Sequence, residues 1–179
     1  MFKALAIGLA GLLMIPVLVI GAVAGGFGDA DPDLELPAED LSELEAAVLA
    51  QPAIHLTASA RGDVENGAIN PRVLRIMLLV AQTHELGPVG PLITGHSYYV
   101  KGTTVVSNHI LGRAVDILGV NGAPVSPTNL AAREVMEAIL ALPESMQPHE
   151  LGGPWVLTNG RMWTFTKDHL DHIHVGWRW

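Results

Sequence analysis

Two stretches gather the residues best suited to chemistry. The first is "SNHILGRAVDI", which runs from Ser107 to Ile117 and sets His109 seven positions before Asp116. The second is "DHLDHIHVGWRW", which packs three histidines and two aspartates into the seven positions from Asp168 to His174. Imidazole and carboxylate groups are good ligands for a borderline cation such as zinc. Strand alternation adds a constraint. In "HIHVGW", His172, His174 and Gly176 share one face, while Ile173, Val175 and Trp177 share the other. In "RAVDIL", Asp116 shares a face with Ala114 and Leu118, opposite Arg113, Val115 and Ile117. A carboxylate flanked by apolar residues on a half-buried strand is costly unless a cation or hydrogen-bond donors satisfy it. His109, Asp116, His172 and His174 together therefore predict a metal site. The bland alternative pairs Asp116 with an arginine and leaves the histidines at a surface edge.

The remaining sequence narrows the chemistry. His55, His84 and His149 stand alone and read as ordinary surface or core residues. His84-Glu85 opens an HExxH pattern, but proline occupies position 88, so that metalloprotease motif fails. The chain has no cysteine, which excludes a disulfide scaffold, a thiolate zinc site and a cysteine nucleophile. Export remains compatible with that composition. A formal net charge of −8 over 179 residues argues against nucleic acid as a partner.

The elements that must position these residues follow from local signals. Lys3 precedes 21 uncharged residues, Ala4 to Ala24. Such a run can span a bilayer, and Ala22-Val23-Ala24 also fits a signal cleavage site. Residues 1–24 are thus expected to be a signal peptide or a transmembrane anchor. Either makes the protein extracytoplasmic, membrane-anchored or secreted, with the membrane met through this segment. Residues 25–37, rich in Gly, Pro and Asp, read as a linker, and residues 38–179 as one domain. Within it, Glu39 to Gln51 reads as a helix stopped by Pro52, and His55 to Gly67 as loop with a short strand. Asn70 to Leu86 is the clearest helix, with an Asn N-cap and Pro71 at its first position. Ser126 to Leu142 is another, opened by Ser126-Pro127. "PLITGHSYYV", "GRAVDILGV", "GPWVLT" and "HIHVGW" read as strands. The order predicts an α+β fold with a small antiparallel sheet. Trp155, Trp163, Trp177 and Trp179 are expected to serve mainly as core.

The two chemical stretches also carry a resemblance. "SNHILGRAVDI" fits the pattern S-x-H-x-x-G-x-A-x-D at Ser107, His109, Gly112, Ala114 and Asp116, and "HLDHIHVG" supplies a later H-x-H. Together they resemble the zinc peptidases grouped around the D-alanyl-D-alanine carboxypeptidases and the penicillin-insensitive murein endopeptidase, whose fold the hedgehog signalling domain shares. The resemblance spans Asn70 to Trp179. It implies helices packed on one side of the sheet and a Zn2+ ion held by His109, Asp116 and His174. Three protein ligands leave a position for the water that such enzymes activate. Many relatives place an acidic residue three positions before the last ligand, here Asp171. The murein endopeptidase type shows H-x-x-H-x-H, matched by His169, His172 and His174. Alternation favours His172 beside the zinc water, with His169 near it and Asp171 as base or as orienting partner. Carboxypeptidase relatives also carry an upstream arginine or glutamine toward the substrate. "ITGHSYYVKG" offers only His96 and Lys101 as strong donors there, and Ser97 as a weaker one. His96 and Ser107 are the expected substrate-binding residues. The activity implied is zinc-dependent cleavage of peptidoglycan peptides, or of another peptide substrate, by a carboxypeptidase or endopeptidase. The alternative is a non-catalytic, zinc-containing binding module of the cell envelope.

Overall fold

A computed structural model describes residues 40–179. The expected signal or anchor and the linker lie outside the described residues. Among the described residues, no helix is long and apolar enough to cross a membrane.

The described chain is an α+β fold. Helix α1 (Leu41–Ala50) leads to strand β1 (Ile54–Leu56), helices α2 (Ala58–Glu65) and α3 (Pro71–Val80) and strand β2 (Leu86–Val89). Strands β3 (Ala114–Ile117), β4 (Gly119–Val120) and β5 (Ala123–Pro124) follow, then helix α4 (Leu130–Leu140) and strands β6 (Glu150–Gly152) and β7 (Ile173–Gly176). The sheet runs β5-β4-β2-β3-β7-β6, and β1 pairs with β2. All pairings are antiparallel except that of β1 with β2, which is parallel. The sheet is therefore mixed at one place where a purely antiparallel one was expected.

Side-chain caps begin the helices. Asp40, Thr57, Asn70 and Asn129 each accept a main-chain N–H in the first turn of the helix that follows. Asn129 also donates through Nδ2 to the Val120, Ala123 and Pro124 carbonyls, which binds the start of α4 to the β4–β5 hairpin. This cap, not Ser126-Pro127, opens α4. One apolar cluster joins Val115, Ile117, Ile173 and Val175 of the sheet with Val73, Leu74 and Met77 of α3 and Val135, Met136 and Ile139 of α4. Trp177 is buried and Trp155 packs on the core, whereas Trp163 and Trp179 are exposed.

Four local expectations need correction. Helix α3 stops at Val80, because Leu86–Val89 is drawn into the sheet and the Leu86 N–H goes to the Ala53 carbonyl (2.7 Å). Residues 58–65, expected as loop, form α2; their apolar stripe is short and only Ala60, Asp63 and Val64 are buried. "PLITGHSYYV" is a series of turns rather than a strand. Buried Asp63 takes the Ile93 and Thr94 amides (2.9 Å each) that a ladder would have used. "GPWVLT" likewise makes one isolated bridge, Thr158 with Trp163, and the Leu157 N–H is donated to Thr164 Oγ1 (2.7 Å). The strand beside β7 is the preceding β6.

Candidate metal centre

The β3–β7 ladder sets two of the expected ligands face to face. Asp116 pairs with His174, Ala114 with Gly176, and Gly152 of β6 with His174 from the other side. Alternation then puts the apolar side chains of both strands into the core and leaves Asp116 and His174 on the opposite face. Both are buried nonetheless, at 6% and 8% exposure.

His109 arrives from a tight turn. The Leu111 N–H bonds to the Asn108 carbonyl, and the Gly112 N–H to the His109 carbonyl. Gly112 has φ +65°, and a Cβ there would lie 2.1 Å from the Ala68 carbonyl oxygen, so only glycine fits. The Gly112 carbonyl accepts the Asn70 N–H, docking the turn on the approach to α3. Ser107, expected at the substrate, is buried, and its Oγ accepts the His109 N–H (3.3 Å). It shapes the turn that delivers the histidine.

The His109 ring is only 1% exposed, and its Nδ1 donates to the Leu92 carbonyl at 2.8 Å. That bond leaves Nε2 as the atom directed into the site. His109 Nε2 lies 3.2 Å from His174 Nδ1 and 3.3 Å from Asp116 Oδ1, and the last two atoms are 3.0 Å apart. Two ligand atoms about 2.0–2.1 Å from a tetrahedral zinc ion sit about 3.3 Å from each other. The three atoms thus have the spacing of one face of a zinc tetrahedron.

His96 also belongs to the group: one ligand atom each from His96, His109 and Asp116 lie within 4.8 Å of one another. Its ring stacks on that of His109, with centroids 4.0 Å apart and planes 10° from parallel. Imidazole lone pairs lie in the ring plane, so stacked rings aim along parallel planes and do not converge on one ion. His174 would therefore be the better third ligand, with His96 as a wall of the site.

Electrostatics fit the same set. Burial pushes the Asp116 carboxyl up, but the contacts with His109 and His174 outweigh it and hold the group well below the usual carboxylate range. Burial pushes His174 down, but its bonds to Asp116 and Glu150 prevail and raise it to about 9. The site thus sets a buried carboxylate against imidazole protons, an environment in which a cation can replace a proton.

The other expected residues surround this triad. His172 Nε2 is 3.9 Å from Asp116 Oδ1, and its Nδ1 bonds to Asp171 Oδ1 at 2.8 Å. Asp171 is itself mostly exposed, so it orients His172 from outside. The His169 ring is 4.6 Å from that of His172 and 5.4 Å from that of His174, and its Nδ1 bonds to the Lys167 carbonyl. Burial lowers the His169 pKa. Gly152 makes room for it: a Cβ there would lie 2.7 Å from His169 Cδ2. Lys101 reaches away to pair with Asp168 at 3.4 Å.

Sequence reading missed three supporting residues. Asp63 of α2 holds the segment whose Leu92 carbonyl fixes His109. Glu150 and Asn108 bond to each other at 2.8 Å, beside His174. None belongs to a spaced motif; only the position of Asn108, next to the expected ligand His109, pointed toward it. His55 and His84 lie elsewhere, against Glu85 and Glu134, and His149 packs on Trp179. No protein-family model, no curated protein and no solved structure matches the chain.

Proposed function

We propose that residues 40–179 form a zinc-dependent peptidase with the architecture of the hedgehog-like zinc peptidases, acting on peptidoglycan peptides outside the cytoplasm. The N-terminal apolar run would export it, as an anchor or a cleaved signal. The observation that carries the reading is the spacing of His109 Nε2, Asp116 Oδ1 and His174 Nδ1, between 3.0 and 3.3 Å pairwise. Three nitrogen and oxygen donors suit zinc and leave a fourth position for water or substrate.

Zinc bound there would supply a Lewis acid for the scissile carbonyl and an acidified water. The chain's own residues account for the remaining chemistry. Peptide hydrolysis adds water across the C–N bond: a proton leaves the attacking oxygen and a proton reaches the departing amine. His172 Nε2 faces the triad, and Asp171 fixes its tautomer by accepting from Nδ1, so Nε2 is the atom placed to carry that proton. His169 stands beside it as the next imidazole along. His96 lines the site against the His109 ring, and its Nδ1 bonds to the Ser97 carbonyl (2.9 Å).

A non-catalytic zinc module would need no proton carrier aimed at the ion. The inward Nε2 of His172 therefore favours the enzyme. The test is to incubate the zinc-loaded full chain with peptidoglycan fragments and follow new termini by mass spectrometry, beside His174→Ala and His172→Ala. Cleavage lost in both variants, with zinc retained in His172→Ala, supports the peptidase. Zinc bound without cleavage of any fragment supports the binding module.

A further inference from the structure

His174 has a second nitrogen, and its surroundings are as specific as those of the first. Nδ1 faces Asp116 and His109, while Nε2 faces Glu150 Oε2 at 3.5 Å, a few tenths of an ångström longer than a usual N–H···O bond. Glu150 opens β6 and pairs with Gly176 across the ladder. It reaches His174 diagonally, over the bare Cα of Gly176. A Cβ on Gly176 would lie 3.0 Å from His174 Nε2 and 3.1 Å from Glu150 Oε2. The φ of Gly176 is not positive, so its backbone does not call for glycine. What the missing side chain provides is the clearance between these two groups.

The Glu150 carboxylate is itself held from two directions. Asn108 Nδ2 donates to Oε2 at 2.8 Å, and Arg178 Nε donates to Oε1 at 3.3 Å. Asn108 precedes the ligand His109, so this one carboxylate ties the turn that carries one ligand to the strand that carries another. Arg178 is in turn fixed, because its carbonyl accepts from Arg113 Nη1 at 3.0 Å.

We infer that Glu150 is the positioning carboxylate of the metal centre. It accepts the Nε2 proton of His174, so that the Nδ1 lone pair is presented to the ion, and it locks the two ligand-bearing segments together through Asn108. Carboxylates behind metal-bound histidines act in this way, and losing one weakens metal affinity about 10–100-fold. The inference rests on the proposed metal site but not on peptidase activity.

The experiment is zinc affinity of the full chain, measured by competition with a chromophoric chelator, for wild type, Glu150→Ala, Glu150→Gln and Arg178→Ala. Folding of each metal-free variant is checked by circular dichroism. Expected are a loss of about 10–100-fold in Glu150→Ala, a smaller loss in Glu150→Gln, which keeps an acceptor oxygen, and a still smaller one in Arg178→Ala. Nitrogen-15 histidine spectra of the zinc-loaded wild type should show His174 protonated at Nε2. Equal affinity in wild type and Glu150→Ala would overturn the inference, as would a His174 protonated at Nδ1. Equal losses in Glu150→Ala and Glu150→Gln with a cooperative fold would also overturn it, since an acceptor would then be of no use. A wild type that binds no zinc would instead remove the site on which the inference stands.

Discussion

The β3–β7 ladder and the loops that flank it contribute to the same centre by different physics. On the ladder, Asp116 and His174 are placed by main-chain pairing, with Val115, Ile117, Ile173 and Val175 anchoring the reverse face in the core. In the loops, His96, His109, His169 and His172 are placed by individual bonds: Ser97, Leu92 and Lys167 carbonyls and the Asp171 carboxylate. A ladder fixes position through many shared bonds. A loop residue depends on one or two, and its partner can be removed singly. The ladder should therefore set whether a metal binds, and the loops what happens to a substrate beside it.

The largest expected effect comes from the ladder. Asp116→Ala removes the acceptor that both His109 and His174 face, and zinc retention through gel filtration should be abolished. Next comes His172→Ala, which leaves His109, Asp116 and His174 in place. Turnover should fall about 10²–10⁴-fold at unchanged zinc content, the usual contribution of a positioned acid–base group. Loss of zinc in that variant would show that loop and ladder are not separable.

Proton dependence sharpens the comparison. With His174 raised to about 9, the metal-free protein at neutral pH carries a proton that zinc must displace. Zinc affinity should rise about tenfold per pH unit from pH 7 and level off near pH 9, as read by chelator competition. The stability of the metal-free protein should run the other way. The raised His174 contributes stability that is complete below its ordinary value of 6.5 and lost as pH rises through about 9. Asp116, held low, contributes stability that is present above 3.8 and lost as pH falls below it toward its lowered value. Metal-free protein should therefore unfold at the highest denaturant concentration between these limits, and zinc-loaded protein should be favoured above them.

Smaller effects belong to the loop supports. Gly152→Ala presses a methyl against His169 and Phe165 and should cost about 1–3 kcal/mol in denaturant unfolding. Lys101→Ala breaks an exposed pair with Asp168 and should change stability by less than about 1 kcal/mol.

What could be read in advance divides along the same line. Period-two alternation put Asp116 and His174 on the faces opposite the Val/Ile rows of their strands, and a one-residue slip would have sent them into the core. The N-cap Asn70 and Pro71 marked α3 correctly at its start. Its end was misjudged because helical periodicity runs on through residues that long-range pairing with β1, β3 and β4 claims for β2. Helix α2 was missed because a short segment with three buried residues has little periodicity to show. Asp63 and Glu150 act through partners 31 and 24 residues away, Thr94 and His174, a separation no local pattern encodes.

The most direct test is the zinc content of the purified full chain, wild type beside His174→Ala, after exposure to excess zinc and removal of loosely bound ion. One zinc per wild-type chain and none in His174→Ala is the predicted result. A wild type that retains no zinc, or a His174→Ala variant that retains as much, would contradict the assignment of His109, Asp116 and His174 as the metal centre.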